Sequence, residues 1–486
     1  MYIYSMLAVL IMLLLCSLIL KNIKIISYIT IVGMAVLLII TSLMGIAVVK
    51  DNFLEYFSYT VYIDSLSELQ LLIIASVSFI SAIYSKKYIE NELEENVISS
   101  KKAKIYYILF SAFVFSMLFL CTSNNIMGMW IGLEATTLAT AFLIGFNNTK
   151  LSLEAAWKYI IICSIGIALG LIGIILFIYP VSNEFGASML QWTTLLKGYN
   201  SFNKNIIKIA FTFIFIGIGT KAGLAPMHTW LSDGHSEAPS PISAMMSGIL
   251  INLALYVIVR FYIIVRWIEG VQNLSYLFIV FGCISLIIST FSILKQTNYK
   301  RLLAFSSVEN IGIITLGFGF GGTIGVLGAL LHSVIHAFGK TLMFLVSGNI
   351  LSAYKTKRID KISCLIKTMP INSFFLMVGM LVILGTPPFA SFFSEFKIFT
   401  SGIYAGNYIS IAILALCLLI AVAGFLQAFI KMIFSFDASI EYKPLKKDRE
   451  NIVPLVFTLI LIIFVSCTFN NLLFPLLNKA AAIICR

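Results

Sequence analysis

The sequence predicts an all-α protein that crosses a membrane many times. Three observations lead there. Of its 486 residues, 60% are hydrophobic and only 11% charged, against about 25% charged in a soluble domain. Apolar runs of roughly 20 residues recur from end to end, each long enough to cross a hydrocarbon core of about 30 Å as a helix. The runs are continuous rather than alternating, which argues against a membrane β-barrel.

Fourteen helices are expected, near residues 4–20, 25–48, 67–85, 105–123, 125–146, 155–179, 206–230, 241–265, 274–294, 302–320, 322–350, 370–400, 407–433 and 452–476. The first is not read as a signal peptide, because residues 1–20 lack a basic start and a small-residue cleavage site, and Lys21 and Lys24 follow the run. Basic residues gather in the odd-numbered connections, at Lys21 and Lys24, Lys86 to Lys104, Lys150, Lys295 to Arg301, Lys355 to Lys361 and Lys446 to Arg449. The connection after the second helix instead holds Asp51, Glu55 and Asp64. The excess of Lys and Arg places the odd connections in the cytoplasm and both termini outside. Two connections break the trend: the one after the sixth helix carries Lys197 and Lys204, and the one after the seventh carries Asp233 and Glu237. The net charge of +12 is thus assigned to loops beside the lipid bilayer, not to nucleic-acid binding. Eight cysteines are scattered without a CxxC pair or a Cys/His cluster, so a haem, iron–sulfur or zinc site built by this chain alone is not expected.

Two helices are interrupted. The seventh carries Gly217, Gly219, Gly223 and Pro226, and the twelfth carries Gly385, Pro387 and Pro388. Proline removes a backbone donor and clashes with the preceding turn, and lipid cannot satisfy the freed carbonyls, so such breaks must face protein or a wet cavity. Broken helices at matching places point to inverted repeats around a transport site. The expected division is residues 1–104 (helices 1–3), 105–265 (first repeat, helices 4–8), 266–433 (second repeat, helices 9–13) and 434–486 (helix 14).

The chemistry rests on ionisable residues at membrane depth: Glu134, Lys221, Lys340 and Glu395. Each costs at least about 2.5–3.5 kcal/mol there, which marks a functional candidate. Glu134 has no basic neighbour on its own helix. It must find a partner on another helix or stay protonated, and Lys221 is the first candidate, with Lys158 on the sixth helix as the second. A static pair would merely fix helix packing. A switchable pair would let Lys221 hold a proton when Glu134 approaches and release it by desolvation when Glu134 retreats. Between Lys221 and Pro239 the chain also places His228, Asp233, His235 and Glu237; a metal could be held by these four, but their spacing fits no standard zinc pattern. Farther on, His332, His336 and Lys340 share one helical face, where histidine can relay protons near neutral pH. Glu309 on the tenth helix is a weaker candidate, and Lys397, two residues beyond Glu395, points elsewhere and is read as snorkelling.

These residues resemble a family. The run from Lys221 to Pro239 matches throughout the pattern KxGxxPxHxWLxDxHxEAP of the antiporter-like subunits of complex I, Mrp-type cation/proton antiporters and membrane-bound hydrogenases. The resemblance covers about residues 65–435. It implies fourteen helices, two inverted five-helix repeats and a central polar axis. It makes Glu134 similar to the family's fifth-helix glutamate and Lys221 to its seventh-helix lysine. His336 and Lys340 resemble the eleventh-helix relay, and Glu395 the terminal group of the twelfth helix. One departure stands out: many members carry a second lysine on the eighth helix, where this chain has Asn252. Asparagine binds water but holds no proton, so the link from Lys221 to His336 would need water or Ser243, Ser247 or Ser307. Within the family, Glu134-Ala135-Thr136-Thr137 and Glu237-Ala238-Pro239-Ser240-Pro241 are most similar to the component F branch of hydrogenase-4 and formate-hydrogenlyase complexes.

The resemblance implies a proton- or Na⁺-translocating subunit in the inner membrane of a prokaryote. Its partners would be further membrane and soluble subunits of a redox complex, carrying iron–sulfur clusters and a NiFe centre or flavin. No cofactor of its own is expected, so it would serve an oxidoreductase only as part of an assembly. The alternatives are a complex I subunit of the M or N type and a stand-alone Mrp-type antiporter subunit. The long lateral helix of complex I L subunits is not expected, with about ten residues left after the fourteenth helix.

Overall fold

The computed structural model describes residues 2–57, 60–198, 202–268, 270–436, 442–468 and 473–485. The chain is almost entirely helical. In order come α1 (Tyr2–Ile19), α2 (Ile23–Asp51), α3 (Ser65–Glu94), α4 (Ser100–Thr122), α5 (Ile126–Ile144) and α6 (Lys150–Ile178). Then follow α7 (Lys204–Ala222), α8 (Thr229–Glu237), α9 (Ser240–Trp267), α10 (Ser275–Leu294), α11 (Tyr299–Phe320) and α12 (Gly322–Tyr354). The last are α13 (Pro370–Ile383), α14 (Ala390–Tyr404), α15 (Tyr408–Phe434), α16 (Ile452–Thr468) and α17 (Phe474–Cys485). Several start where a short polar residue precedes an apolar run: the side chains of Asn22, Asp64, Ser99, Asn125, Thr149, Asn203 and Asn298 accept from the free backbone N–H groups of the first turn.

Helices α9 and α12 form the interior, buried along their apolar length, while α1, α6 and α15 keep a face outward. That arrangement follows from the sequence of α12, which is rich in small residues and carries its histidines and lysine where only protein can reach them. Helices α6 and α7 cross closely because glycines leave room: a Cβ on Gly217 would lie 2.5 Å from the Gly166 carbonyl oxygen and against the Gly170 backbone. Small residues four apart are the usual device for close helix contact in lipid.

Both expected breaks are present and are built alike. Between α7 and α8, Gly223 takes φ +76° and Pro226 follows a cis bond. Between α13 and α14, Gly385 takes φ +61° and Pro388 follows a cis bond. Only glycine adopts such a left-handed φ without steric cost. A third irregularity, a π-helical turn at Met246–Leu250 within α9, carries no Gly/Pro punctuation comparable to the other two and was not expected.

Three features differ from the sequence reading. The second connection forms a hairpin, β1 (Phe53–Tyr56) with β2 (Val61–Asp64) antiparallel, pairing Phe53 with Asp64. Alternation over four residues is too short to stand out beside the long apolar runs. At the C-terminal end, where one helix is expected over 452–476, the described helices are α16, to Thr468, and α17, from Phe474; residues 469–472 lie outside the described residues. The acids after the seventh helix, which broke the charge trend, are counter-ions for their own face. Asp233 pairs with Lys158 at 3.1 Å and Arg301 at 2.8 Å, and Glu237 pairs with Lys357 at 2.7 Å. One face of the molecule thus gathers the fifth, seventh, ninth and eleventh connections.

Toward the opposite face, Arg260 of α9 holds Asp64 through two bonds of 2.6 and 2.5 Å, with both residues buried. Trp192 covers the pair: its ring lies 4.6 Å from the guanidinium carbon, and its Nε1 donates to the Arg260 carbonyl oxygen at 2.8 Å.

Two predictions follow from the packing. Gly217→Val should destabilise the protein by about 1–3 kcal/mol, because the obstacles are backbone atoms, whereas Gly145→Ala, which meets only side chains at 3.6 Å and beyond, should be tolerated; thermal unfolding of the purified protein in detergent compares them. Asp64→Asn leaves the Arg260 charge buried without its partner and should cost about 3–5 kcal/mol, read in the same assay as a lower unfolding midpoint.

Candidate functional site

Of the candidate residues, Lys221, His332, His336, Lys340 and Glu395 are buried and Glu134 is half-buried; taken in the order of the helices that carry them, they make up a row from α5 to α14. At one end, Glu134 on α5 is half-buried; its Oε1 accepts from Ser164 Oγ at 3.2 Å and its Oε2 has no hydrogen-bond partner. Lys221 sits on the last turn of α7, directly before the break, and is fully buried. It does not touch Glu134 as the sequence reading expected. Its ammonium donates to the Leu133 carbonyl oxygen at 2.5 Å and to Thr137 Oγ1, on either side of Glu134 along α5. The two charges interact through space without closing an ion pair. The second expected partner, Lys158, lies near the start of α6 at the ion-paired face, bound to Glu154 at 2.7 Å and to Asp233. Helix α6 begins at Lys150, so Lys158 sits too near the helix end to reach Glu134's depth.

Past the Pro226 break, α8 carries the signature's polar residues to four different neighbours. Asp233 and Glu237 enter the surface ion pairs described above. The His228 ring meets Phe305 edge-on at 6.1 Å, and the His235 ring stacks on Phe344 at 5.1 Å. His235 is fully buried with neither ring nitrogen hydrogen-bonded, and it feels the charges of both Lys340 and Lys300.

In the second half of the row, Lys340 on α12 donates to the Leu303 carbonyl oxygen at 3.1 Å and to Ser306 Oγ, both on α11. It interacts through space with Glu309, also buried on α11. His336, one turn from Lys340, lies beside the Ser247 backbone with neither ring nitrogen in a well-formed hydrogen bond. His332 is held at both ends: one ring nitrogen meets Asn310 Oδ1 at 3.0 Å, the other Ser394 Oγ at 2.9 Å. Ser394 precedes Glu395 on α14, so the ring joins α11, α12 and α14. Glu395 is buried, its Oε1 has no partner, and its carboxyl lies against Gly385, where a Cβ would come within 2.6 Å of the carboxyl carbon. The break at Gly385, Pro387 and Pro388 therefore seats the acid directly. Lys397 is half-buried, its Cβ beside Gly328 of α12.

Asn252 occupies the place of the family's second lysine. Its Nδ2 donates to the Gly248 carbonyl oxygen at 2.9 Å. The π turn next to it brings Ser247 Oγ within 2.7 Å of Ser307 Oγ, one of the serine links the sequence offered in place of that lysine.

Sequence reasoning missed three buried groups. Lys300 was counted as a loop cation, yet it is 1% exposed and its Nζ donates to the Ala238 carbonyl oxygen at 2.9 Å. Glu68, in the first turn of α3, is fully buried with both oxygens unpartnered. Arg260 is buried with Asp64. Glu68 and Arg260 lay inside apolar runs and could have been flagged by the rule that singled out Glu134; Lys300, in a basic loop, gave no such signal.

Comparison with known proteins gives the family. Residues 123–421 match the family described as NADH:quinone oxidoreductase/Mrp antiporter, transmembrane. The chain is 35% identical over 374 residues to a hydrogenase-4 component F homolog of Methylacidiphilum infernorum, covering 76% of this chain and 78% of that one. It is 30% identical to hydrogenase-4 component B of Escherichia coli, covering 70% of this chain and 50% of that longer one. In fold it is similar to a subunit of the archaeal membrane-bound sulfane sulfur reductase, with a TM-score of 0.88 at 24% identity over 100% of this chain and 97% of that one. A chain of the Mrp complex from Dietzia aligns with a TM-score of 0.85 at 16% identity, over 99% and 96%. With the matched region spanning most of the buried row, the chain belongs to the NADH:quinone oxidoreductase/Mrp antiporter transmembrane family, as an antiporter-like membrane subunit.

Proposed function

We propose that this chain moves protons, or Na⁺, across the membrane along the row from Glu134 through Lys221, His235, His336, Lys340 and His332 to Glu395. In this reading it is the ion-translocating membrane subunit of a redox-driven complex of the hydrogenase type. The observation that carries the proposal is how the two lysines of the row, Lys221 and Lys340, are bound. Both ammonium groups rest on a backbone carbonyl and a hydroxyl rather than on a carboxylate. A static ion pair fixing two helices would close on a carboxylate. An ammonium held by neutral acceptors can give up its proton without breaking a closed ion pair.

Glu134 is then the input switch. It stands beside Lys221 without touching it, with one oxygen free to turn, so a small displacement of α5 or α7 makes or loosens the contact. The two broken helices supply the hinge points on which such a displacement acts, and their like construction supports a division into two inverted repeats. Access from the basic face would run through a cavity of about 190 Å³ lined by Tyr84, Glu92, Glu237, Lys300, Asn349 and Lys357. Lys300 and His235 would connect it to Lys340. Partner subunits with iron–sulfur clusters and a NiFe centre or flavin would supply the redox step, in a prokaryotic inner membrane with both termini outside.

The proposal predicts that Lys221→Ala abolishes proton translocation in sealed membrane vesicles while the complex still assembles; pumping at the normal rate would rule the row out. Glu134→Gln should uncouple translocation from electron transfer, and normal coupling would remove the switch. Copurification with a tagged copy tests the assembly. Nickel with iron would place the chain in a hydrogenase-type complex, iron with flavin but no nickel in a complex I type, and no metal with no large partner would leave an independent antiporter.

A further inference from the structure

The row leaves unused a set of polar groups between α9 and α3, a helix that precedes the matched region 123–421. Gln70 on α3 is buried, and its Oε1 has no hydrogen-bond partner. Asn252 on α9 is buried, and its Oδ1 likewise has none. Both side chains line one small cavity, together with Tyr256 and Ser333. The cavity leaves about 10 Å³ for the centre of a water molecule, close to the minimum that one water needs. Two buried amide oxygens without a partner, on side chains that line the same space, are a costly arrangement. One water satisfies both, because it brings two donors to two acceptors.

The polar groups continue from this cavity. The Tyr256 hydroxyl lies 3.0 Å from Ser67 Oγ and accepts from Arg260 Nε at 3.0 Å. Arg260 donates to Ser67 Oγ at 2.7 Å and to both oxygens of Asp64. Asp64 closes the β1–β2 hairpin, at the end of α3 away from the ion-paired face.

We propose that a water bound between Gln70 and Asn252 opens a side branch of the ion row, leading through Tyr256 and Ser67 to the Arg260–Asp64 pair. Transfer along it is proton hopping. The water takes a proton on a lone pair, swings one O–H from an amide oxygen toward the Tyr256 hydroxyl and gives up that proton as Tyr256 passes its own to Ser67 Oγ, 3.0 Å away; each O–H bond formed is matched by one broken, and no atom is oxidised or reduced. Arg260 stands across the branch as a fixed positive charge, which impedes protons, and Asp64 offsets that charge. The branch is therefore a valve whose state depends on the Arg260–Asp64 contact. Asn252 has a positive role here: an amide at this position directs a water toward α3.

The branch as a proton path rests on the translocation reading, whereas the water site stands without it. High-resolution electron microscopy of the complex purified with this chain should show a water within about 3.2 Å of both Gln70 Oε1 and Asn252 Oδ1; a dry gap between them overturns the proposal. In vesicles, Gln70→Met should lower the proton-to-electron ratio with assembly intact, and Gln70→Glu, which keeps an acceptor, should restore it. An unchanged ratio in Gln70→Met, or an equal loss in both variants, overturns the branch. If Lys221→Ala stops pumping while Gln70→Met does not change it, the branch alone falls; if neither changes it, the translocation reading falls as well.

Discussion

A polar group inside hydrocarbon must find its partner within the protein, because lipid offers none. Most of this structure is arranged around that requirement. The two helix breaks free backbone carbonyls and place prolines at membrane depth, so each must be turned inward. The groups turned inward with them are the charged ones. Lys221 ends α7 directly before one break, and the Glu395 carboxyl lies against Gly385 in the other. Helices α9 and α12 fill the space between the breaks and are buried along their apolar length, so their own polar residues bond to neighbouring helices, among them α3, α11 and α14.

The same requirement sets the difference between the two faces. On the ion-paired face, water is near, and Asp233 and Glu237 can pair with Lys158, Arg301 and Lys357 at little cost. These exposed or half-exposed pairs add little stability individually. Their effect is geometric: they tie α6, α8, α11 and the connection after α12 at the end where α8 leaves the break. Toward the opposite face the Asp64–Arg260 pair is buried under Trp192, where the geometry must be complete, and Asp64, Ser67 and Tyr256 supply four acceptor contacts to one guanidinium.

Between the faces the ionisable groups are bound in a different way. Neither lysine of the row closes on a carboxylate, His336 and His235 have no well-formed bonds, and Glu134 and Glu395 each keep one oxygen free. Fully satisfied networks rigidify a core. Here several groups keep a nitrogen or an oxygen without a partner, so the network is not fully satisfied.

The chain alone, read residue by residue, predicts the fold class, the helix count outside the C-terminal segment, both breaks and the burial of Lys221, Lys340 and Glu395. These are legible because hydrocarbon penalises charge and unpaired backbone so strongly that each exception stands out in an apolar run. Family likeness also flagged Asn252 as a departure. What only the tertiary structure decided is which groups meet. Lys221 bonds to the backbone and hydroxyl beside Glu134 rather than to its carboxylate, Lys158 goes to the surface, and Asp233 and Glu237 neutralise their own face. Lys300, read as a loop cation, is buried, and Glu68 and the Arg260–Asp64 pair belong to the interior. The physical reason is depth and rotation: a position along the chain fixes neither how far a helix start lies from the membrane surface nor which neighbour its side chain faces, and both are set by how the helices cross.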